Sequence, residues 1–351
     1  MPTADISASG MSDTEQAPVD DSSQRRWEEM LGSLIALLPA GCLRVRVDGP
    51  TERASLFASR LADKLAAERH PGPAQVTLDT DGASDVVVFL RTAPGGRHFP
   101  VYEKDSTEQA ARDRREREER ADIVVDLHDV DWPVIRRVAA PLAARGPWYL
   151  TETRAFFACR AATWDVKFGD DLPAYCAAVA EAGIRRSGVV IDVGCGTGRA
   201  LPPLREAIGP AGTLIAVDVT PEMLAAARPA VQLAAARMVI ADARALPLAD
   251  GSADAVFAAG LVNHLPDTGA GLRELARVTR PGGLLVLFHP SGRAALAARH
   301  GHTLSPDEPL AEGPLRRSTA ASDWKLTAYD DAPHRFFAVA TRTPITTDPP
   351  S

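Results

Sequence analysis

The second half of the chain carries short, largely apolar runs, most of them ending on an acidic residue or a glycine turn. Residues 189–193 (VVIDV), 213–217 (TLIAV), 238–241 (MVIA), 255–259 (AVFAA) and 284–288 (LLVLF) are of this kind. Apolar runs without alternation mark strands covered on both faces, as in a parallel sheet. Between the last two, Leu272, Leu275 and Val278 have helical spacing, and Arg280-Pro281-Gly282-Gly283 breaks that helix. Residues 324–329 and 336–341 flank Asp330-Asp331-Ala332-Pro333-His334-Arg335, which predicts a closing antiparallel hairpin. Strands alternating with helices predict an α/β fold on a mainly parallel sheet.

The first half is patterned less regularly. Residues 1–24 are rich in Asp, Ser, Thr, Ala and Pro, without periodicity, and are expected to be a disordered tail. They lack a basic start and an apolar core, so they do not read as a signal peptide. Trp27, Met30, Leu31, Leu34, Leu37 and Leu38 then follow helical spacing. Residues 43–49 (LRVRVDG) alternate into a turn, and 52–69 are helix-like through Leu56, Phe57, Leu61 and Leu65. Residues 84–92 and 121–126 read as strands, with a highly charged helix at 112–120 between them.

The sharpest chemical signal is VVIDVGCGTGR at residues 189–199. A strand ends in Asp192, and Gly194, Gly196 and Gly198 alternate through the turn into a helix. Glycines let a ligand approach the backbone, and a helix N-terminus favours negative charge. The G-x-G-x-G spacing is neither the dinucleotide G-x-G-x-x-G nor the phosphate-loop G-x-x-x-x-G-K-[ST]. Asp218 ends the next strand, 24 residues after Gly194, placed to take two ribose hydroxyls. Thr220-Pro221-Glu222 predicts an N-cap, a first-turn proline and a favourable dipole charge.

These features, with V-D-V-T-P-E-M-L at 217–224, Asp242-Ala243, L-P-L-A-D-G-S-A-D-A-V at 246–256 and R-V-T-R-P-G-G-L-L-V-L at 277–287, resemble the class I S-adenosylmethionine-dependent methyltransferases. Ala253 stands where that family has an aromatic residue. The resemblance covers residues 151–342. It implies a Rossmann-like domain with a mainly parallel seven-stranded sheet and a C-terminal antiparallel hairpin. It also implies S-adenosylmethionine as cofactor and S-adenosylhomocysteine as product. Residue by residue, the amino-acid end of the cofactor would lie at Asp192, Gly194, Cys195, Gly196 and Gly198, and the ribose at Asp218. Val219 and Met223 would lie against adenine, Asp242 would accept its amino group, and the Ala243 N–H would reach its ring. Gly260, at the end of the fourth strand, completes the expected cofactor surface.

The acceptor is expected beyond the fourth and fifth strands, where Asn263, His264 and His289 lie. Either imidazole is a competent general base for a hydroxyl, phenol or amine, and each also reads as structural. Residues 151–175 concentrate Phe156, Phe157, Trp164, Phe168 and Tyr175 with Arg154, Asp165, Asp170 and Asp171, in a chain only 5% aromatic. That density suits a lid over the cofactor or packing between domains. The expected activity is methyl transfer to a small-molecule O, N or C nucleophile of bacterial secondary metabolism. The alternatives are a fold that binds the cofactor without methylating, as a regulator or cyclase, and a kinase-like activity of the first half.

The strand–Asp48-Gly49-Pro50–helix, with Asp126-Leu127-His128-Asp129-Val130-Asp131-Trp132, resembles nucleoside and uridine kinases of the phosphate-loop fold. It implies a smaller α/β domain at 25–150, ahead of the methyltransferase domain at 151–343 and a tail at 344–351. Residues 49–55 lack the second glycine and the lysine, and Glu52 repels phosphate, so the domain is expected to be degenerate.

At 351 residues, two domains are expected. A net charge of −7 argues against nucleic acid as a partner, and the mixed-sign run at 112–120 reads as a solvated helix. No apolar stretch reaches a membrane span. Cys42, Cys159, Cys176 and Cys195 have no metal-site spacing, which predicts no metal and a cytoplasmic protein with reduced thiols. A small molecule is the expected partner, with a homodimer possible.

Overall fold

The computed structural model describes residues 21–41, 43–68, 72–78, 83–92, 108–143, 145, 148–168, 171–299 and 304–344. Cys42, Asp170 and nearly all of both expected tails lie outside these residues. Contacts divide the chain into two units: Met1–Lys104 with Ala121–Ile135, and Asp105–Arg120 with Arg136–Ser351.

The first unit is built on helix α1 (Asp21–Leu37), strand β1 (Leu43–Asp48), helix α2 (Thr51–Ala67), and strands β2 (Ala74–Thr77), β3 (Val86–Arg91) and β4 (Ile123–Asp126). Helix α3 (Glu108–Arg120) precedes β4, and β5 (Val134–Val138) follows it. The sheet order is β2-β1-β3-β4-β5, a doubly wound order. The pairs β1–β2, β1–β3 and β3–β4 are parallel. Phe57, Leu61 and Leu65 of α2 are buried, as are Val45 and Val47 of β1. Helix α1 begins at Asp21, so residues 21–24 form its first turn rather than the end of a tail. That turn is anchored: Ser23 donates to Asp131, Arg26 to the Pro133 carbonyl and the Trp27 indole to the Val130 carbonyl.

The second unit includes α3 and continues with helices α4 (Ala140–Ala143), α5 (Trp148–Ala158), α6 (Trp164–Phe168) and α7 (Leu172–Glu181). It continues through β6 (Val189–Val193), α8 (Leu201–Ile208), β7 (Thr213–Asp218), α9 (Pro221–Leu233), β8 (Arg237–Ile240) and β9 (Ala253–Ala259). Helix α10 (Thr268–Val278), β10 (Thr279–His289), α11 (Arg293–Arg299), α12 (Glu312–Ala320) and the hairpin β11 (Trp324–Ala332)–β12 (Arg335–Arg342) complete it. The seven-stranded sheet runs β11-β12-β10-β9-β6-β7-β8. It is parallel from β10 to β8, and β12 pairs antiparallel with both neighbours. Its two faces are covered by separate apolar clusters, one around Val190, Leu204, Phe257 and Phe288, the other around Ile191, Leu275, Leu285 and Trp324. This coverage is why its central strands read as continuous apolar runs. The Arg280-Pro281-Gly282-Gly283 break is an irregularity inside β10, whose register with β9 shifts between Thr279 and Leu284.

Candidate functional site

Strand order places β6 between β7 and β9, so the crevice at the sheet's reversal lies at the carboxyl end of β6. The turn there takes the left-handed conformation at all three glycines, with φ of 72° at Gly194, 53° at Gly196 and 86° at Gly198. Such φ values strain residues with a Cβ. The glycines differ in what they face. A Cβ on Gly194 would stand 3.2 Å from Leu261, and one on Gly198 3.0 Å from Ala230 and Leu201. A Cβ on Gly196 would meet nothing within 4 Å. Gly196 is therefore the point where the backbone presents open space.

Two carboxylates sit beneath this turn. Asp218 ends β7 and accepts the Gly196 N–H (2.9 Å) on one oxygen and the Thr220 N–H (2.8 Å) on the other. It thereby holds the turn while keeping lone pairs, since a carboxylate accepts about four hydrogen bonds. Asp192 is 1% exposed, and its Oδ2 is buried without a hydrogen-bond partner. Burial, and then the neighbouring Asp218, push Asp192 up to about 8. Burial raises Asp218 as well, although backbone N–H donors oppose the shift. An orphaned buried carboxyl is costly, and a cation or donor placed against it recovers that cost. The cofactor's α-ammonium is such a group, so these residues fit it. The thiol of Cys195, also buried, is pushed upward by burial and both carboxylates.

The remaining expected contacts divide. Met223 is 1% exposed, so its side chain is core, while Val219 is half-buried and its carbonyl accepts from Arg154 Nε (2.9 Å). Asp242 is engaged by its neighbour Arg244, whose Nη2 lies 2.7 Å from Oδ2 and whose N–H is 2.9 Å from Oδ1. An adenine amino group would share Asp242 with that guanidinium. Arg244 in turn stacks over Tyr149, 4.4 Å from the ring centroid. Burial, with Asp242 nearby, raises Tyr149 to about 12. Ala243 is buried. Thr220 occupies the N-cap of α9, but its hydroxyl makes no capping bond.

On the acceptor side, a cleft is lined by Gly260, Leu261, Val262, Phe288, His289 and Arg293, among others. Gly260 has φ of 68°, and a Cβ there would lie 3.8 Å from His289. His289 Nδ1 is 3.1 Å from the Ser291 N–H and 3.0 Å from the Ser291 carbonyl. If the N–H donates, Nε2 carries the proton; if Nδ1–H donates to the carbonyl, Nε2 is the unprotonated nitrogen. His264 packs edge-on against Phe157, with ring centroids 5.1 Å apart. Arg293 bonds the Tyr329 hydroxyl and pairs with Glu308 and Asp331, while its buried Nε makes no hydrogen bond.

The segment before the glycine strand packs over this site. Trp164 meets Phe157 at 5.6 Å, and Tyr175 meets Phe288 edge-on at 4.9 Å. Arg199, which follows the last glycine, donates from Nε to Asp165 (2.9 Å) and pairs with Asp171. Sequence reasoning gave Arg199 no role. Its partner lies 34 positions away, and no local pattern announces it. Among the described residues no cluster of His, Cys, Asp and Glu forms a metal site, and no helix is long and apolar enough to cross a membrane.

Residues 191–287 match the family model described as a methyltransferase domain. The second half of the chain carries a class I S-adenosylmethionine-dependent methyltransferase domain with a Rossmann-like fold. Over 101 residues, 28% of this chain and 29% of the relative, it is 39% identical to an uncharacterized 37.1 kDa protein in transposon Tn4556 of Streptomyces fradiae. Over 112 residues, 32% of this chain and 46% of the relative, it is 32% identical to a demethylmenaquinone methyltransferase of Staphylococcus aureus. The chain spans less than half the length of these curated relatives. A solved S-adenosylmethionine-dependent methyltransferase from Aquifex aeolicus is 22% identical, with TM-score 0.44, over 53% of this chain and 98% of that one.

Proposed function

We propose that the protein transfers a methyl group from S-adenosylmethionine to a small-molecule O, N or C nucleophile. The observation that carries this reading is the buried, unpartnered Oδ2 of Asp192 beneath a turn that is open at Gly196. The bound cofactor would supply an activated sulfonium methyl, so the chain's own task is chiefly orientation. Asp192 would hold the amino-acid end, Gly194, Cys195, Gly196 and Gly198 would admit it, and Asp218 would take the ribose. Val219 would flank the adenine, with the core residue Met223 supporting that wall from behind, Asp242 and the Ala243 N–H at its edge and Gly260 near the reacting end. His289 would receive the acceptor's proton in the tautomer whose Nε2 is unprotonated, with His264 as the second base candidate. The cleft's apolar lining favours an acceptor with an apolar body.

We place residues 25–150 in a degenerate phosphate-loop-like domain without phosphoryl chemistry. Its turn has Glu52 in the first helical turn and no lysine. Calorimetry with S-adenosylhomocysteine, followed by transfer from labelled cofactor to phenols, enols and amines, tests the reading. Binding with transfer to one class is expected. No binding at high micromolar ligand overturns it, and binding without transfer to any class favours the regulator or cyclase alternative.

A further inference from the structure

Helix α6 is held on the cofactor turn by polar contacts rather than by burial. Trp164 is half-buried, Asp165 and Val166 are exposed, and Val166 retains 87% of its surface. Against this thin packing stands a concentrated set of bonds. Thr197, between the second and third glycines, donates to Asp165 Oδ1 at 2.6 Å. Arg199 donates to the same oxygen from Nε and to the Asp165 carbonyl from Nη2 (3.1 Å), and its Nη1 pairs with Asp171 at the start of α7. The Arg199 side chain is only 13% exposed. A planar fork that meets two carboxylates and a carbonyl fixes direction as well as distance, which a lysine ammonium does not.

The residues beside this latch lead to the acceptor wall. Trp164 precedes Asp165 and packs on Phe157, and Phe157 packs edge-on against His264. Thr197 and Arg199 belong to the turn whose Gly196 N–H is held by Asp218. We propose that Arg199, with Thr197, is a positioning residue that ties the cofactor turn through Asp165 and Asp171 to α6, and through Trp164 and Phe157 to the wall beside His264. Ordering the turn then orders the acceptor side. The proposal rests on the methyltransferase reading for its consequence, but the latch itself exists without ligand.

Hydrogen exchange of the full chain, with and without S-adenosylhomocysteine, tests it. In ligand-free protein, Arg199→Ala should raise exchange in residues 156–166 by about tenfold or more, as when charge-assisted hydrogen bonds are removed. The ligand should protect this segment in the parent protein but not in the variant, and should dissociate faster from the variant. Arg199→Lys should recover only part of the protection. Asp165→Asn, on an exposed side chain, should reproduce the effect should Arg199→Ala misfold. Unchanged exchange in 156–166 for both Arg199→Ala and Asp165→Asn overturns the latch, whether or not ligand binds. Absence of ligand binding by the parent protein overturns the methyltransferase reading instead, and leaves the ligand-free comparison to decide the latch.

Discussion

Two strand–glycine–helix turns among the described residues follow an aspartate at the end of, or inside, a parallel strand, and they use glycine for opposite reasons. At β1–α2 a Cβ on Gly49 would stand 2.9 Å from the Leu90 Cβ on the adjacent strand. Gly49 is thus a packing requirement. Arg53, in the first turn of α2, donates to the Leu127 carbonyl beyond β4, and Glu52 puts a negative charge at the helix's positive end. At β6–α8 the Gly196 position faces open space, its N–H is held by Asp218, and the Asp192 carboxyl lies below with its Oδ2 unpartnered. The same local grammar yields a filled joint in one unit and an open turn in the other. Glycine count does not separate them; what stands opposite the missing Cβ does.

The largest expected effect breaks this contrast at its centre. Gly196→Val forces a β-branched residue to a φ of 53° and fills the open space. S-adenosylhomocysteine affinity should fall by more than about a hundredfold, combining roughly 1–2 kcal/mol of strain with direct exclusion. Gly49→Ala is the counterpart. Overpacking against Leu90 should cost about 1–3 kcal/mol of stability in a thermal melt, with ligand affinity unchanged. Lost affinity in Gly49→Ala would show that the two turns are not independent.

Next in size, Asp218→Ala should weaken ligand binding by about 1–3 kcal/mol, because a carboxylate that takes the ribose and holds the turn is lost. An unchanged titration would place the ribose elsewhere.

The pH dependence sharpens the role of Asp192. Its carboxyl is raised from an ordinary value of 3.8 to about 8, so the folded, ligand-free protein holds that proton more tightly than the unfolded chain. The stability this gives is complete below the ordinary value and is lost as pH rises through about 8. A ligand ammonium favours the ionised form. Binding below about 8 should therefore release a proton, and affinity should rise with pH up to that point. Titration in two buffers of different ionisation enthalpy measures this release. Asp192→Asn should abolish it, and equal heats in both buffers for the parent protein would refute the assignment.

The smallest effect belongs to Arg244→Ala. Its ion pair with Asp242 is 28% exposed on the arginine side, so ligand affinity should change by less than about 1 kcal/mol. A larger loss would mean that Arg244 itself touches the ligand.

The parallel core of the second unit was legible because strands buried on both faces become unbroken apolar runs, and Asp218 stands where strand length puts it. Strand β2 (AQVT) escaped notice because it is four residues long, partly exposed at a sheet edge and without a pattern. Strand β5 (VIRRV) was hidden by its two arginines and the proline before it. Residues 21–24 look like tail in composition, yet Ser23 bonds Asp131 across 108 positions. The site shows the same boundary. Glycine spacing and acidic strand ends are local, whereas the Asp242–Arg244 pairing and the Arg199–Asp165 latch depend on side-chain directions that only the folded chain reveals.

The central claim is that the opening at Gly196, and not the joint at Gly49, receives an adenosyl ligand with an amino-acid tail. Calorimetric titration of S-adenosylhomocysteine into the parent protein, Gly196→Val and Gly49→Ala tests it directly. The account predicts saturable binding in the parent and in Gly49→Ala, and none in Gly196→Val. Binding that survives Gly196→Val, or that is absent from the parent at high micromolar ligand, would contradict it.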